Sequence, residues 1–321
     1  HAHLSGAIPL ETLKELHRDA LRRNPSLGPC PEPSSHTDLN RFFIFFDSIL
    51  YNILDTPLAI TKATAAVLDF FAQDGCIYLE LRTTPRKLSG APLNLYLQSV
   101  VAAFANHDHS KMIARLILSI NWDFDPLKVK EIVDLAIIAK DQGHPLVGLD
   151  LCGDPQKSFK FKSLLPQLHR AKQNGLKLTI HFAEIPQQIN QLSDHLIQLQ
   201  PDRLGHANFL SDEIKKDIIL HKRPIEICIT SNLKTSSVPS LEAHHFKWAV
   251  EHNVPVLIST DDPLVFETNS THEYSLALSL LKGNRQKLLS ILSTSILYTF
   301  CSIQDQEFLL KKLHDFDINQ T

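Results

Sequence analysis

The sequence predicts an α/β protein, a (β/α)8 TIM barrel with a helical insertion after its first strand. Three observations predict it. Short apolar runs rich in β-branched residues recur along the chain, each followed by a longer helix-like stretch. The runs read as nearly continuous in apolar residues, as strands covered on both faces do. Seven such runs are visible, and the opening His-Ala-His reads as the tail of an eighth. Alternation of this kind argues for βαβ units and a parallel sheet. Eight units fit a closed barrel, although the count alone also admits a doubly wound sheet.

Taken in order, the runs are Cys76–Arg82, Arg115–Asn121, Leu146–Leu151 and Lys177–Phe182, then Arg203–Ala207, Ile225–Thr230 and Pro255–Thr260. Amphipathic segments at Leu127–Lys140, Phe159–Asn174, Asp212–His221 and Leu241–Asn253 lie between them. Gly143 and Gly175 punctuate two helix ends just before the next strand. The stretch from Ile8 to Thr61 is too long for one crossover and contains a Pro/Ser-rich piece, Asn24–Ser35. It is expected to be an insertion over the barrel mouth, with helices at Leu10–Arg22 and Arg41–Leu54. Residues Ser275–Leu313 read as helices completing the outer ring. No linker divides the chain, so residues 1–321 are expected to form one domain, with the start of strand 1 missing before His1.

Composition narrows the function classes. With 43% hydrophobic and 21% charged residues the chain is globular. A net charge of −3 supplies no basic field for nucleic acid or an anionic membrane. No apolar run approaches the roughly 20 residues of a membrane helix. Cys30, Cys76, Cys152, Cys228 and Cys301 are scattered without a CxxC pair, which reads as buried thiols in a reducing, cytoplasmic setting. A monomer acting on a small molecule is the expectation.

The chemistry lies in polar groups at the ends of the runs. His1 and His3 are two apart, so on a strand they face the same side. His181 ends the fifth strand, His206 lies in the sixth, and Asp261-Asp262 follow the eighth. Active sites of such barrels occupy the C-terminal strand ends. The imidazoles of His1, His3 and His181 with the Asp261 carboxylate suit one Zn²⁺ per chain and leave a position for water; Fe²⁺ or Mn²⁺ would take the same donors. Glu184, three residues past His181, can overhang the mouth as a general acid if a dry pocket raises its pKa. Each residue also has a plain structural use: a helix cap for the aspartates, a core histidine for His181 or His206.

In order and spacing, His1-Ala-His3, His181-Phe-Ala-Glu184, Gly205-His206 and Ser259-Thr-Asp261-Asp262 resemble the adenosine deaminase family, a barrel of the metal-dependent hydrolase type. The resemblance covers essentially the whole chain. Gly148–Asp154 (GLDLCGD) is similar to that family's purine-contacting segment, and Ser231-Asn232 follow the seventh strand as they do there. Tyr78–Arg86 (YLELRTTPR) resembles the adenosine deaminase-like branch, which removes methylamine from N6-methyl-AMP to give IMP. The resemblance implies that His1, His3, His181 and Asp261 bind the metal, that His206 and Asp262 orient the nucleophile, and that Glu184 protonates purine N1. It places His3, Asp262, Ser5, Asn121 and Gly153 against the substrate, with Thr83, Thr84, Pro85 and Arg86 around a phosphate. Ser5 and Asn121 depart from the branch's usual residues, as does the region of Leu50 and Tyr51, where a substrate-facing histidine is usual. An adenosine or adenine deaminase is the alternative activity, and an inactive barrel used for binding is the alternative class.

Overall fold

The computed structural model describes residues 1–30, 46, 50–157, 161–188 and 198–318. Eight strands form one parallel sheet in sequence order: β1 (Ala2–His3), β2 (Tyr78–Thr83), β3 (Ile113–Asn121), β4 (Leu146–Cys152), β5 (Lys177–Phe182), β6 (Arg203–His206), β7 (Ile225–Ile227) and β8 (Val256–Ile258). Ala2 also bridges Asp261, just past β8. His3 N donates to Asp261 O (3.0 Å) and Asp261 N to His1 O (2.9 Å), which closes the ring through residues at the candidate site. The (β/α)8 expectation holds.

The strands are buried on both faces, but for a different reason than continuous apolarity. Leu79, Leu81, Leu118, Ile120, Leu149, Leu151, Leu178 and Ile180 join the apolar layer beneath the helices. The alternating positions Glu80, Arg82, Ser119, Asp150, Thr179, Arg203 and Glu226 are also buried, and they pair with one another. The runs therefore alternate after all, with a polar network filling the barrel interior. Buried polar groups of this kind persist only when satisfied.

Helices at Leu10–Arg23, Pro126–Asp141, Phe161–Gln173 and Asp212–His221 match the expected segments within about two residues, with residues 159 and 160 of the third segment lying outside the described residues. Asp125 and Ser211 cap two of them, accepting from backbone N–H groups of their first turns. The segment expected at Leu241–Asn253 is helical only over Phe246–Glu251, because the residues before it turn so that His245 Nε2 reaches His206 O (2.8 Å). The seventh strand stops at Ile227, and Ile229–Lys234 is already a helical turn. The C-terminal segment forms three helices, Ser270–Leu280, Arg285–Ile296 and Ile303–Ile318. Of the helix expected at Arg41–Leu54, residues 41–45 and 47–49 lie outside the described residues; Tyr51–Ile53 makes one turn. Residues 31–35 of the Pro/Ser-rich piece also lie outside them. All five cysteines are free, but only Cys152 and Cys228 are buried. Among the described residues, no helix is long and apolar enough to cross a membrane.

Candidate active site

The strand ends converge as the spacing required. His1 Nε2 lies 3.1 Å from His3 Nε2, and His3 Nε2 lies 3.2 Å from His181 Nε2. Asp261 Oδ1 is 3.4 Å from His1 Nε2 and 3.6 Å from His3 Nε2. Ligand atoms sharing one ion at bonds of about 2.05 Å lie roughly 3 Å apart, and these four separations are of that order. His206 also belongs to the cluster: potential ligand atoms of His1, His181, His206 and Asp261 all lie within 4.8 Å of one another, and His206 Nε2 stands 3.9 Å from Asp261 Oδ2. Burial and the neighbouring rings of His1 and His181 push the His3 pKa well down, so its ring is neutral and a competent donor.

The opposite ring nitrogens are held by carboxylates. His1 Nδ1 lies 2.9 Å from Glu226 Oε2, and His181 Nδ1 lies 3.1 Å from Asp150 Oδ1. Arg82 bridges the two carboxylates, with Nη1 3.2 Å from Asp150 Oδ1 and Nη2 bonded to Glu226. Against the cost of burial, His181 and Arg82 hold Asp150 below the usual carboxylate range, as Arg82 and Arg203 hold Glu226. Such carboxylate–histidine pairs fix which nitrogen carries the proton and aim the other at a metal. Gly205 makes room for the arrangement: a Cβ there would lie 3.0 Å from His1 Cε1.

Glu184, His206 and Asp262 surround the cluster. Burial pushes the Glu184 pKa up to about 7, and its Oε1 is buried without a hydrogen-bond partner. Burial pushes His206 down to about 3, so the ring is neutral. Asn232 Nδ2 donates to His206 Nδ1 (3.2 Å), leaving the proton on Nε2, 4.0 Å from Glu184 Oε2. Ser231 Oγ donates to Asp261 Oδ2 (2.8 Å). Burial and the adjacent Asp261 charge push Asp262 well up, so it carries a proton and has a buried Oδ1 without a partner. Gly6 packs on that carboxyl: a Cβ there would lie 1.7 Å from Asp262 Oδ1. Ala183, His206, Ala207 and Asp261 all have φ between 52° and 61°. Left-handed non-glycine residues cost of order 1 kcal/mol each and cluster where a site dictates the backbone.

A cavity opens over this cluster, lined by Ser5, Thr83, Thr84, Asn121 and Gly153 as well as the candidate ligands His3, His181 and Asp261. Two residues expected around the phosphate do not line it. Pro85 is buried in the structure. Arg86 is clamped between aromatic rings, its Cζ 4.3 Å from the Tyr51 centroid and 5.0 Å from that of Tyr96. Its Nη2 donates to Leu54 O (3.0 Å). Among the described residues the cavity is lined by two basic side chains, the buried Arg82 and Lys157 in the loop after β4. Sequence reading passed over Lys157 and Asn208, whose buried Oδ1 lacks a hydrogen-bond partner. Neither sits in a motif, so only the folded loops reveal them.

A family model described as adenosine deaminase matches residues 1–316. The N6-methyl-AMP deaminase of Danio rerio is 33% identical over 318 residues, spanning 94% of this chain and 89% of that protein. The N6-methyl-AMP deaminase of Homo sapiens is 33% identical over 326 residues, spanning 97% and 90%. Among solved structures, Arabidopsis ADAL complexed with IMP superposes with a TM-score of 0.92 at 28% identity, covering 100% of this chain and 96% of that one.

Proposed function

This chain belongs to the adenosine deaminase family, and from that membership we propose that it is a hydrolytic purine nucleotide deaminase converting N6-methyl-AMP and water to IMP and methylamine. The relatives named N6-methyl-AMP deaminase and the neighbour that binds IMP support the substrate. The observation that carries the chemistry is the convergence of three Nε2 atoms and Asp261 Oδ1 beneath the buried Glu184, whose pKa is raised to about 7.

His1, His3, His181 and Asp261 would hold one zinc ion per chain; the nitrogen-rich donor set favours zinc over Mn²⁺. When bound, zinc supplies the Lewis acidity that makes water a nucleophile near neutral pH. Glu184, kept protonated by its dry surroundings, gives its proton to purine N1 as C6 is attacked. His206, with its proton fixed on Nε2 by Asn232, orients the attacking water. Asp262 offers its O–H to the substrate. As the water oxygen becomes the C6 carbonyl, one of its protons passes to the departing nitrogen and the other replaces the proton that Glu184 gave to N1; the C6–N bond breaks and methylamine leaves. Ser5, Thr83, Thr84, Asn121 and Gly153 form the substrate walls. Five unpaired cysteines and a nucleotide substrate fit a cytoplasmic, single-domain enzyme.

Steady-state kinetics on N6-methyl-AMP, AMP, N6-methyladenosine and adenosine, with methylamine and ammonia measured separately, test the reading. Preference for N6-methyl-AMP with methylamine release is expected. Preference for adenosine over both nucleotides would replace it with the nucleoside activity.

A further inference from the structure

The 5′-phosphate of a nucleotide brings a dianion to a cavity lined by four carboxyl side chains, Asp154, Glu184, Asp261 and Asp262. A cation must offset that charge. Among the described residues, the arginine and lysine side chains lining the cavity are Arg82 and Lys157. Arg82 is fully buried and committed to Asp150 and Glu226. Arg86 is committed to Tyr51, Tyr96 and Leu54 O.

Lys157 is differently placed. Its side chain is 50% exposed, and its partner is Asp123 Oδ2 at 3.7 Å, itself 33% exposed. Loose, solvated ion pairs of this kind contribute little and exchange readily. Lys157 follows β4 and Asp123 follows β3, next to the β2 exit where Thr83 and Thr84 line the same cavity. The metal-binding candidates come from β1, β5 and the β8 exit. A ligand whose base lies under Glu184 would thus carry its far end toward the β2–β4 rim.

Resting on the nucleotide reading above, we propose that Lys157 is the cation that recognises the substrate phosphate and that Asp123 is its resting counter-ion, displaced when the nucleotide binds. An ammonium and a phosphate at this half-exposed rim form a charge-assisted contact, and selectivity for nucleotide over nucleoside would follow from it.

The test compares wild type, Lys157→Met, Lys157→Arg and Asp123→Asn on N6-methyl-AMP and N6-methyladenosine, with IMP and inosine binding measured by calorimetry. Lys157→Met is expected to lower kcat/KM for the nucleotide by about 10- to 100-fold, the range of a charged hydrogen bond, and to leave the nucleoside within twofold. IMP binding should fall in parallel while inosine binding holds. Lys157→Arg should retain most nucleotide use. Asp123→Asn, which frees the ammonium, should improve the nucleotide and leave the nucleoside alone. A phosphate-selective wild type whose selectivity survives Lys157→Met overturns this inference alone. A wild type indifferent to the phosphate overturns the nucleotide reading and this inference with it.

Discussion

The Nε2 atoms of His1 and His3 stand 3.1 Å apart, and His3 Nε2 stands 3.2 Å from His181 Nε2. The Nδ1 atoms of His1 and His181 face Glu226 and Asp150, so their ring protons belong on that side. One proton on His3 can satisfy at most one of its two contacts. With the three rings neutral, at least one pair of lone pairs therefore faces each other, a repulsion that a cation between them removes. Removing the ion from the purified protein should abolish deamination and cost stability. The loss should be on the order of 4 kcal/mol, the linkage expected for an ion present at about a thousand times its Kd. Elemental analysis should give one ion per chain, and thermal unfolding after chelation should show a lower Tm that zinc restores. An unchanged Tm in ion-free protein would contradict the site.

On the proposed mechanism Glu184 sets the pH dependence. Its folded pKa is raised to about 7 by burial, and the mechanism needs the protonated form. Activity that depends on it is therefore full below that pKa and lost as pH rises through it. A bound cation moves the limb to lower pH without changing its direction. Glu184→Gln keeps the shape and removes the transferable proton, so kcat should fall by about 10²- to 10⁴-fold. The alkaline limb assigned to Glu184 should vanish from the residual activity. Retention of that limb in the variant would assign it to another group.

Gly6 is tied to Asp262 by contact. A Cβ at position 6 would lie 1.7 Å from Asp262 Oδ1 and 2.5 Å from its Cβ, so Gly6→Ala must displace that carboxyl or the turn carrying it. Overpacking of this sort costs about 1–3 kcal/mol. Misplacing a reacting group by about 1 Å costs on the order of 100-fold in rate. The variant should hold its metal, since the four candidate ligands are untouched, yet lose activity well beyond its loss of stability. Parallel measurement of zinc content, Tm and kcat/KM checks this.

Much of this was legible because chemistry and strand ends coincide. His1, His3, His181 and Asp261 sit at or just past strands whose apolar halves mark them. Hydrophobic patterning could not distinguish an inward Glu80 or Arg82 from an exposed residue, so a buried ion network was read as part of a continuous apolar run. Arg86 shows the other limit. A basic residue after Thr-Thr-Pro reads as a phosphate ligand, and the motif does not show the rings it packs between, Tyr51 from the insertion before β2 and Tyr96 from the helix after it. Lys157 carried no signal, since one loop lysine resembles any other until the cavity is formed.

The same hidden network gives the last prediction. Arg82 joins the carboxylates that aim His1 and His181, while Thr179 Oγ1 donates to Glu226 Oε1 (3.0 Å) and Ser119 Oγ to Asp150 Oδ2 (3.0 Å). Removing the guanidinium altogether takes a buried counter-charge from both carboxylates, leaving Glu226 with Arg203 and Asp150 with His181; breaking a buried pair costs about 3–5 kcal/mol, so Arg82→Met should fold poorly. Arg82→Lys and Thr179→Val are gentler. Lysine keeps the charge but cannot bridge both acids, and valine removes one hydrogen bond to a charged group, about 1.5–3 kcal/mol. Both should lose zinc to a chelator faster than wild type, by about 10- to 100-fold, as weakened orienting partners do. The acid side follows from the same groups. Asp150 and Glu226 have depressed folded pKa values, so their stabilisation is complete above the unfolded carboxylate range of about 4 and is lost as pH falls below it. With one bond to Glu226 gone, Thr179→Val should unfold at a higher pH than wild type in acid titrations followed by circular dichroism. Wild-type chelation kinetics and acid midpoint in both variants would show that the histidines hold their aim without the network.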